Sequence, residues 1–469
     1  MFKSFISIFS VLIGLVLFSN VNNVLAASEY ESNDSASTAQ SISLTKNTVT
    51  IDGDFYDNYD DDYYVFTLDQ AGKLDVSINR HLNVQYSVKL YNASMNEMES
   101  YYTNYGVNKG TANLFSQGLD KGTYYLKVER YAGQGEGIPY KLKLDFNPSE
   151  SYEKEFNNDF SSADLIPLNK EVRGFADFFS SDYFVFELPK SGELKIDMNR
   201  SLQTKYEVTL YSGSRTELER WTTDYSNKKM SNIINIGLPK GTYYLKVRTY
   251  EGDRDNIPYS FKVNFSASTA IENEDNDDES RADSLRIGSS KKGIIGSYYD
   301  VDYYRLDLSK NTNVALQITN SKNARFYIEV SNPNRTFVQY YYTQYGHNKL
   351  KTFANVNLKK GIYYIRVKRY DGQEYKIPYT VRAFKRDTTP PAIPSVNRVT
   401  SKTIMITGKA EKSAKLYVYK GTKLLGQGVV TSKGTYSVKI AKQKKGTTLK
   451  VYAKDAAGNK SKVKTVKVN

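Results

Sequence analysis

The chain has no cysteine, one tryptophan and two histidines among its 469 residues. Without cysteine there are no disulfides and no thiolate metal centres. His81 and His347 leave almost nothing for zinc or for histidine-based catalysis. The sequence also lacks His-Glu-x-x-His, Gly-x-Ser-x-Gly and a glycine-rich phosphate loop, so no enzyme class is indicated. Past the N-terminus no run approaches the roughly 18 apolar residues of a membrane span, so the mature chain is expected to lack one. Residues 1–26 themselves read as an export signal: Lys3, an apolar run from Phe5 to Phe18, and the small-residue site Val24-Leu25-Ala26. The chain ends Lys467-Val468-Asn469, without a sorting motif or apolar tail. A secreted protein is expected, with any retention on a cell wall non-covalent.

Tyrosine and lysine are plentiful. There are 41 Tyr. The formal charge is +14, and it is unevenly placed. From Lys385 onward 20 Lys and Arg face only Asp387, Glu411 and Asp455, a net of +17, which leaves −3 for the preceding residues. The basic character belongs to the tail alone.

A repeat organises the rest. Glu29-Tyr30-Glu31-Ser32-Asn33-Asp34 returns as Glu153-Lys154-Glu155-Phe156-Asn157-Asn158 and as Glu272-Asn273-Glu274-Asp275-Asn276-Asp277. Each copy has an acidic partner downstream that closes on Asp62, Asp182 or Asp302, 120 residues apart. A glycine lies between them, read as Gly53, Gly174 and Gly296. Then come Lys121-Gly122-Thr123-Tyr124-Tyr125-Leu126-Lys127-Val128 and its two counterparts, and an Ile-Pro-Tyr that opens a last strand. Short alternating runs at even spacing, without helical periodicity, predict β-sandwiches. The fold expected is all-β: three tandem jelly-roll-like sandwiches over 27–147, 148–266 and 267–386. The linker Asp387-Thr388-Thr389-Pro390-Pro391 then leads to a small immunoglobulin-like sandwich over 387–469.

In an extended segment residues i and i+2 point the same way, so Glu29 and Glu31 converge, as do Asp60 and Asp62. Gathering carboxylates without a cation is repulsive, and Ca²⁺ takes six to eight hard oxygens. The candidate Ca²⁺ ligands are Glu29, Glu31, Asn33, Asp34, Asp60 and Asp62 in the first repeat. In the second they are Glu153, Glu155, Asn157 and Asp182; in the third, Glu272, Glu274, Asn276, Asp277, Asp300 and Asp302. The second repeat has Asn158 and Ser180 where the others are acidic, so a weaker site is expected there. Paired carboxylates also serve glycosidases, but an active site would not recur three times.

Four motifs recurring in this order resemble the bacterial pre-peptidase C-terminal (PPC) domain, the family of the collagen-binding domains of clostridial collagenases. The resemblance covers residues 28–386 as three copies. It implies Ca²⁺ held between the acidic segment and the Asp-rich loop, and a collagen-type ligand met by surface tyrosines. The tail, with Asp455-Ala456-Ala457-Gly458-Asn459, resembles bacterial Ig-like repeats of surface proteins.

Strand alternation turns Tyr124, Leu126 and Val128 inward and Tyr125 and Lys127 outward. The same rule turns out Tyr244 and Lys246, and Tyr364 and Arg366. A second cluster comprises Tyr101, Tyr102 and Tyr105; Trp221 and Tyr225; and Tyr340, Tyr341, Tyr342 and Tyr345. Exposed aromatics beside cations suit an extended polymer. The expected partner is an extracellular polymer: collagen-like protein, polysaccharide or anionic wall polymer. Nucleic acid is not expected of an exported chain, and the oligomeric state is not legible. The competing reading makes the sandwiches spacers and the basic tail an attachment module.

Overall fold

The computed structural model describes residues 25–469 apart from 45–47, 58, 106–109, 178–179, 227–228, 254–255, 297–299, 320, 347–348 and 373–375. The expected leader up to residue 24 and His347 lie outside the described residues. Leu25 and Ala26, the last residues of the expected leader, begin a strand that pairs in parallel with Val49 and Thr50.

Among the described residues every regular element is a strand. The cause shows in Asp61–Leu68, where side chains alternate between half-exposed and buried. Period two puts Asp62, Tyr64, Phe66 and Leu68 on one face, which is driven inward because its members are mostly apolar. In the first repeat one sheet runs 25–28, 48–55, 138–148, 72–79, 111–119. The other runs 40–42, 61–68, 122–133, 84–92, 97–102. The same order returns twice, with a single parallel bridge (Tyr152 to Arg173, Ile271 to Lys292) in place of the 25–28 strand. Strands 164–165, 182–188, 241–252, 204–212 and 217–222 face 171–176, 257–267, 192–199 and 229–238. Strands 283–284, 301–308, 361–372, 324–331 and 337–342 face 290–295, 377–385, 312–319 and 350–358. Each pair of sheets closes on its own apolar core. Every fully buried Phe or Leu there contributes about 1.5–3 kcal/mol.

Part of the tyrosine excess is structural. The first Tyr of each Gly-x-Tyr-Tyr bonds a carbonyl four residues back: Tyr124 to Asp120 O at 2.9 Å, Tyr243 to Pro239 O at 2.9 Å, Tyr363 to Lys359 O at 3.3 Å. The ring fills the sheet interface while its hydroxyl satisfies the preceding turn.

The tail forms strands 405–409 and 435–439 in one sheet and 423–429, 415–420, 448–454 and 464–467 in the other, around a core of Ile406, Leu416, Val418 and Val451. The chain divides into two compact units, 1–267 and 268–469. Within the first, Ser116 N and O exchange hydrogen bonds with the Asn256 amide at 2.8 and 2.7 Å. No helix of the described residues is long and apolar enough to cross a membrane.

Candidate metal centre and aromatic surface

The acidic segment of each repeat straps the two sheets together. In the second, Glu153 N donates to Arg173 O at 2.8 Å, and Asn157 O accepts from Tyr183 N at 2.8 Å. Glu29 and Asn33 make the same pair with Asp52 O (3.0 Å) and Tyr63 N (2.9 Å), and Glu272 and Asn276 with Lys292 O (2.9 Å) and Tyr303 N (3.0 Å). The loop is pinned sideways as well. Asp164 Oδ2 accepts from Lys154 N at 2.6 Å, Asp283 Oδ2 from Asn273 N at 2.6 Å, and Gln40 Oε1 from Tyr30 N at 3.1 Å. The peptides 31–32, 155–156 and 274–275 are cis in all three.

This strapping drops three carboxylates together. Glu29, Glu31 and Asp62 each bring an oxygen within 4.8 Å of the others, as do Glu153, Glu155 and Asp182, and Glu272, Glu274 and Asp302. In the first repeat Glu31, Asp34 and Asp60 form a second such group. The acids missing from the second repeat correspond to this outer group. Its inner trio is complete, so the expected weakness has no counterpart in the geometry of the inner ligands. In the third repeat Asp277 instead accepts from Val301 N at 3.1 Å, and Asp300 from Gly296 N.

Burial lifts several of these carboxyls out of the ordinary range. Glu153 and Asp182 are raised well above it, by desolvation first and by neighbouring carboxylates next. Desolvation also takes Glu155 to about 7, Glu272 to about 8 and Asp62 to about 10. The test of a cation is what the remaining oxygens do. Asn33 Oδ1 and Asp62 Oδ1 are buried without a hydrogen-bond partner among the described residues. So are Asn157 Oδ1 and Asp182 Oδ1, and Asn276 Oδ1 and Asp302 Oδ1. An orphaned buried acceptor costs about 1–3 kcal/mol. Its recurrence at the same two positions of three repeats, beside three carboxylates, fits an oxygen-seeking divalent cation.

Tyrosines outside the acidic motifs hold the trio. Tyr259 OH reaches Glu153 Oε2 and Asp182 Oδ2, both at 2.6 Å. Tyr140 OH reaches Asp62 Oδ2 at 2.8 Å, and Tyr379 bonds Asp302. Tyr64 and Tyr304 add a second hydroxyl, where the second repeat has Phe184. The sequence reading missed these roles, although the recurring Ile-Pro-Tyr was the signal. The glycine beneath each tyrosine is fixed by cross-strand pairing: Tyr140 opposite Gly53, Tyr259 opposite Gly174, Tyr379 opposite Gly293. Register therefore corrects Gly296 to Gly293. Tyr259→Phe is expected to weaken one bound cation about tenfold, the usual cost of an outer-shell partner, and to leave the other sites alone. Calcium titration calorimetry checks this.

The outward rows are less open than alternation suggested. Tyr364 is only 9% exposed, because it lies on a central strand flanked by Arg305 and Ser331. Tyr125 and Tyr244 are half-buried, and Phe160 stands edge-on to Tyr244 at 5.2 Å. The cations have partners already. Lys127 meets Asp61 at 2.9 Å, Arg366 meets Glu329 at 3.6 Å, and Lys246 sits over the Tyr183 ring at 5.5 Å.

Open aromatics lie at one end of the same sheet. Tyr105 and Tyr131, Tyr225 and Tyr250, and Tyr345 and Tyr370 are all 42–61% exposed. Tyr102 packs at a tilt against Tyr131 at 4.5 Å, and Tyr342 edge-on against Tyr370 at 4.6 Å. Tyr101, Trp221 and Tyr341, the alternate residues, pack on the cores. Tyr131, Tyr250 and Tyr370 were not foreseen, since each is the extra residue of a β-bulge. Gln85 and Tyr86 pair with Ala132 and Arg130, skipping Tyr131, and the other two repeats skip Tyr250 and Tyr370 likewise. A bulge re-aims its side chain and breaks alternation.

Residues 390–469 match the bacterial Ig domain family, which assigns the tail. Over 249 residues, half of this chain, the sequence is 28% identical to collagenase ColT of Clostridium tetani, of which it covers 24%. Over 74 residues, 16% of this chain, it is 42% identical to a cell wall-associated protease of Bacillus subtilis, of which it covers 8%. The chain thus spans less than a quarter of the length of either relative. A biofilm-associated protein structure aligns over 92% of this chain and 98% of its own at 12% identity, with a TM-score of 0.17. That is below the level at which two folds correspond.

Proposed function

We propose that the chain is a secreted, non-catalytic binding protein for an extracellular polymer, stiffened by Ca²⁺ in each of its three repeats. The observation that carries this is the bulged, exposed tyrosine recurring beside a second exposed tyrosine in every repeat. A structural role would have buried those rings. Three similar patches on one chain add avidity without any one being strong. Cations sit over two of them: Lys205 over Tyr225 at 4.8 Å, and Arg325 over Tyr345 and Tyr370 at 5.5 and 5.0 Å. Their charge is shared with Glu251 and Asp371, so the patches favour neutral chains such as collagen-like protein or polysaccharide. The stretch shared with a collagenase agrees with that ligand class.

Ca²⁺ would be held by Glu29, Glu31, Asn33 and Asp62 and their counterparts. It supplies charge neutralisation at a strap between two sheets. The second attachment is the tail, whose exposed Lys442, Lys444 and Lys445 suit an anionic wall polymer.

Replacing Tyr345 and Tyr370 by Ala is expected to lower retention on collagen or polysaccharide several-fold with an unchanged melting temperature, because exposed residues contribute little stability. Adding the same changes at Tyr131 and Tyr250 is expected to lower it further. A fall in melting temperature with unaltered retention would reject the patches as a binding surface.

A further inference from the structure

One end of the third sandwich carries a cleft that neither the cation loops nor the tyrosines explain. Its volume is about 1140 Å³, and Arg286, Lys310, Lys359, Lys385 and Arg386 line it. All five are exposed, and none makes an ion pair among the described residues. The cleft also holds two acids, which leaves its cations in excess by five to two. Asp307 pairs with Arg305 at 3.1 Å, and Asp387 accepts from Thr389 N at 2.9 Å. One wall is the linker to the tail. Arg386 N donates to Asn313 O at 2.8 Å, Asn313 Nδ2 to Thr388 Oγ1 at 3.0 Å, and Asn459 Nδ2 to Asp387 O at 3.1 Å.

The other repeats serve as internal controls, since ladder pairing equates positions. Lys385 stands opposite Val314, where Phe146 stands opposite Leu74 and Phe265 opposite Leu194. Lys359 follows Leu358, where Asp120 follows Leu119 and Pro239 follows Leu238. Arg386 replaces Asn147 and Ser266. One scaffold is built three times, and only the copy joined to the basic tail is given this cation set.

We propose that this cleft binds a polyanion of repeated phosphodiesters that carries no bases, a polyol phosphate of the wall-polymer type. Unpaired cations converging on one cleft suit a row of phosphates, by counterion release. The chemistry between the phosphates follows from the rest of the lining. Among the described residues of the cleft none is aromatic, in a chain with 41 tyrosines. Single-stranded nucleic acid is held by stacking bases on rings, and this cleft offers none. It offers Ser309, Asn357 and Thr389 instead, groups that hydrogen-bond to hydroxyls. The inference extends the attachment reading of the tail but relies on neither Ca²⁺ nor the tyrosine patches.

The test is calorimetric titration of the full chain with poly(glycerol phosphate) at about 50 and 200 mM salt, with an oligothymidylate of equal charge as comparison. The intact chain is expected to bind, more weakly at higher salt. Joint Lys359→Gln, Lys385→Gln and Arg386→Gln is expected to weaken binding at low salt about tenfold or more, and to lower the log–log salt slope by about two. Joint Lys121→Gln, Lys143→Gln and Lys240→Gln, exposed lysines of the first two repeats, is expected to change it less than about threefold, and the oligothymidylate to bind at least about tenfold more weakly. Melting curves accompany each variant. Should the cleft triple unfold early, Lys359→Glu and Lys310→Glu singly replace it, each expected to weaken binding severalfold. The proposal is overturned if the intact chain does not bind at low salt, if the triple in the first two repeats loses as much as the cleft triple, or if the oligothymidylate binds equally well.

Discussion

With a chelator present, the protein is expected to melt at progressively lower temperature as pH rises from about 5 to about 8; with saturating Ca²⁺ the melting temperature is expected to stay nearly level. The sign follows from the carboxyl trios. Burial raises Glu155 to about 7 and Glu272 to about 8, and holds Glu153, Asp182 and Asp302 well above the carboxylate range. A group with a raised folded-state pKa contributes stability that is fully present below its unfolded value, near 4.3 for Glu. That stability is lost as pH climbs through the folded value, so the window runs from about 4 to about 8. Protonation then substitutes for the cation at acidic pH. Toward pH 8 the chelated protein must either keep protons that the unfolded chain has released or ionise buried carboxyls that face one another. A bound cation requires them ionised, so its affinity rises over the same window and the gap between loaded and chelated melting points widens. Scanning calorimetry at four pH values, with calcium and with EGTA, reads both curves. A chelated protein as stable at pH 8 as at pH 5, with no calcium response, would sink the metal reading.

The fold was legible because period-two alternation is a strong signal and was written three times. Asp61–Leu68 alternates in burial as its composition predicts, and Gly122–Gly133 does so until its bulge. The acidic residues of the cation trios were legible too, because i, i+2 spacing on an extended segment fixes their common direction. What was not legible depended on pairing between distant strands. Tyr259 lies 77 residues from Asp182, and no local pattern tells that its hydroxyl satisfies that carboxylate. Gly293 rather than Gly296 lies under Tyr379 because register, not sequence spacing, selects it. Of the two tyrosine sets, Tyr102, Tyr105, Tyr225, Tyr342 and Tyr345 of the second cluster are exposed as expected, and only the outward row was misjudged, for a related reason. Alternation projects Tyr364 outward but says nothing of the flanking strands that cover it. A single inserted residue then turns Tyr370 into the open.

Gly174→Ala is expected to be among the most damaging single methyl additions in the chain. The backbone there needs no left-handed conformation, so the reason for glycine is space. A Cβ at 174 would lie 2.3 Å from Glu153 Oε2 and 2.4 Å from Tyr259 Cζ. Neither neighbour is free to yield. Glu153 is buried and takes hydrogen bonds from Phe175 N at 2.5 Å and from Tyr259, while the Tyr259 ring is packed in the core against Tyr206 at 5.8 Å. Moving either breaks the contact that holds the carboxylate trio together. Overpacking a rigid site costs about 3 kcal/mol or somewhat more, which lowers the melting temperature of a domain this size by about 8 °C or more. The loss is expected with chelator as well as with calcium, since the clash precedes any cation, and calcium binding in the second repeat is expected to fall with it. Gly110→Ala is the matched control: nothing lies within 4 Å of its added methyl, so its effect is expected within about 0.5 kcal/mol. Gly53→Ala and Gly293→Ala are expected to follow Gly174→Ala, with nearest approaches of 2.5 and 2.3 Å. If Gly174→Ala melts with the control, the close packing of glycine, carboxylate and tyrosine is not what positions the site.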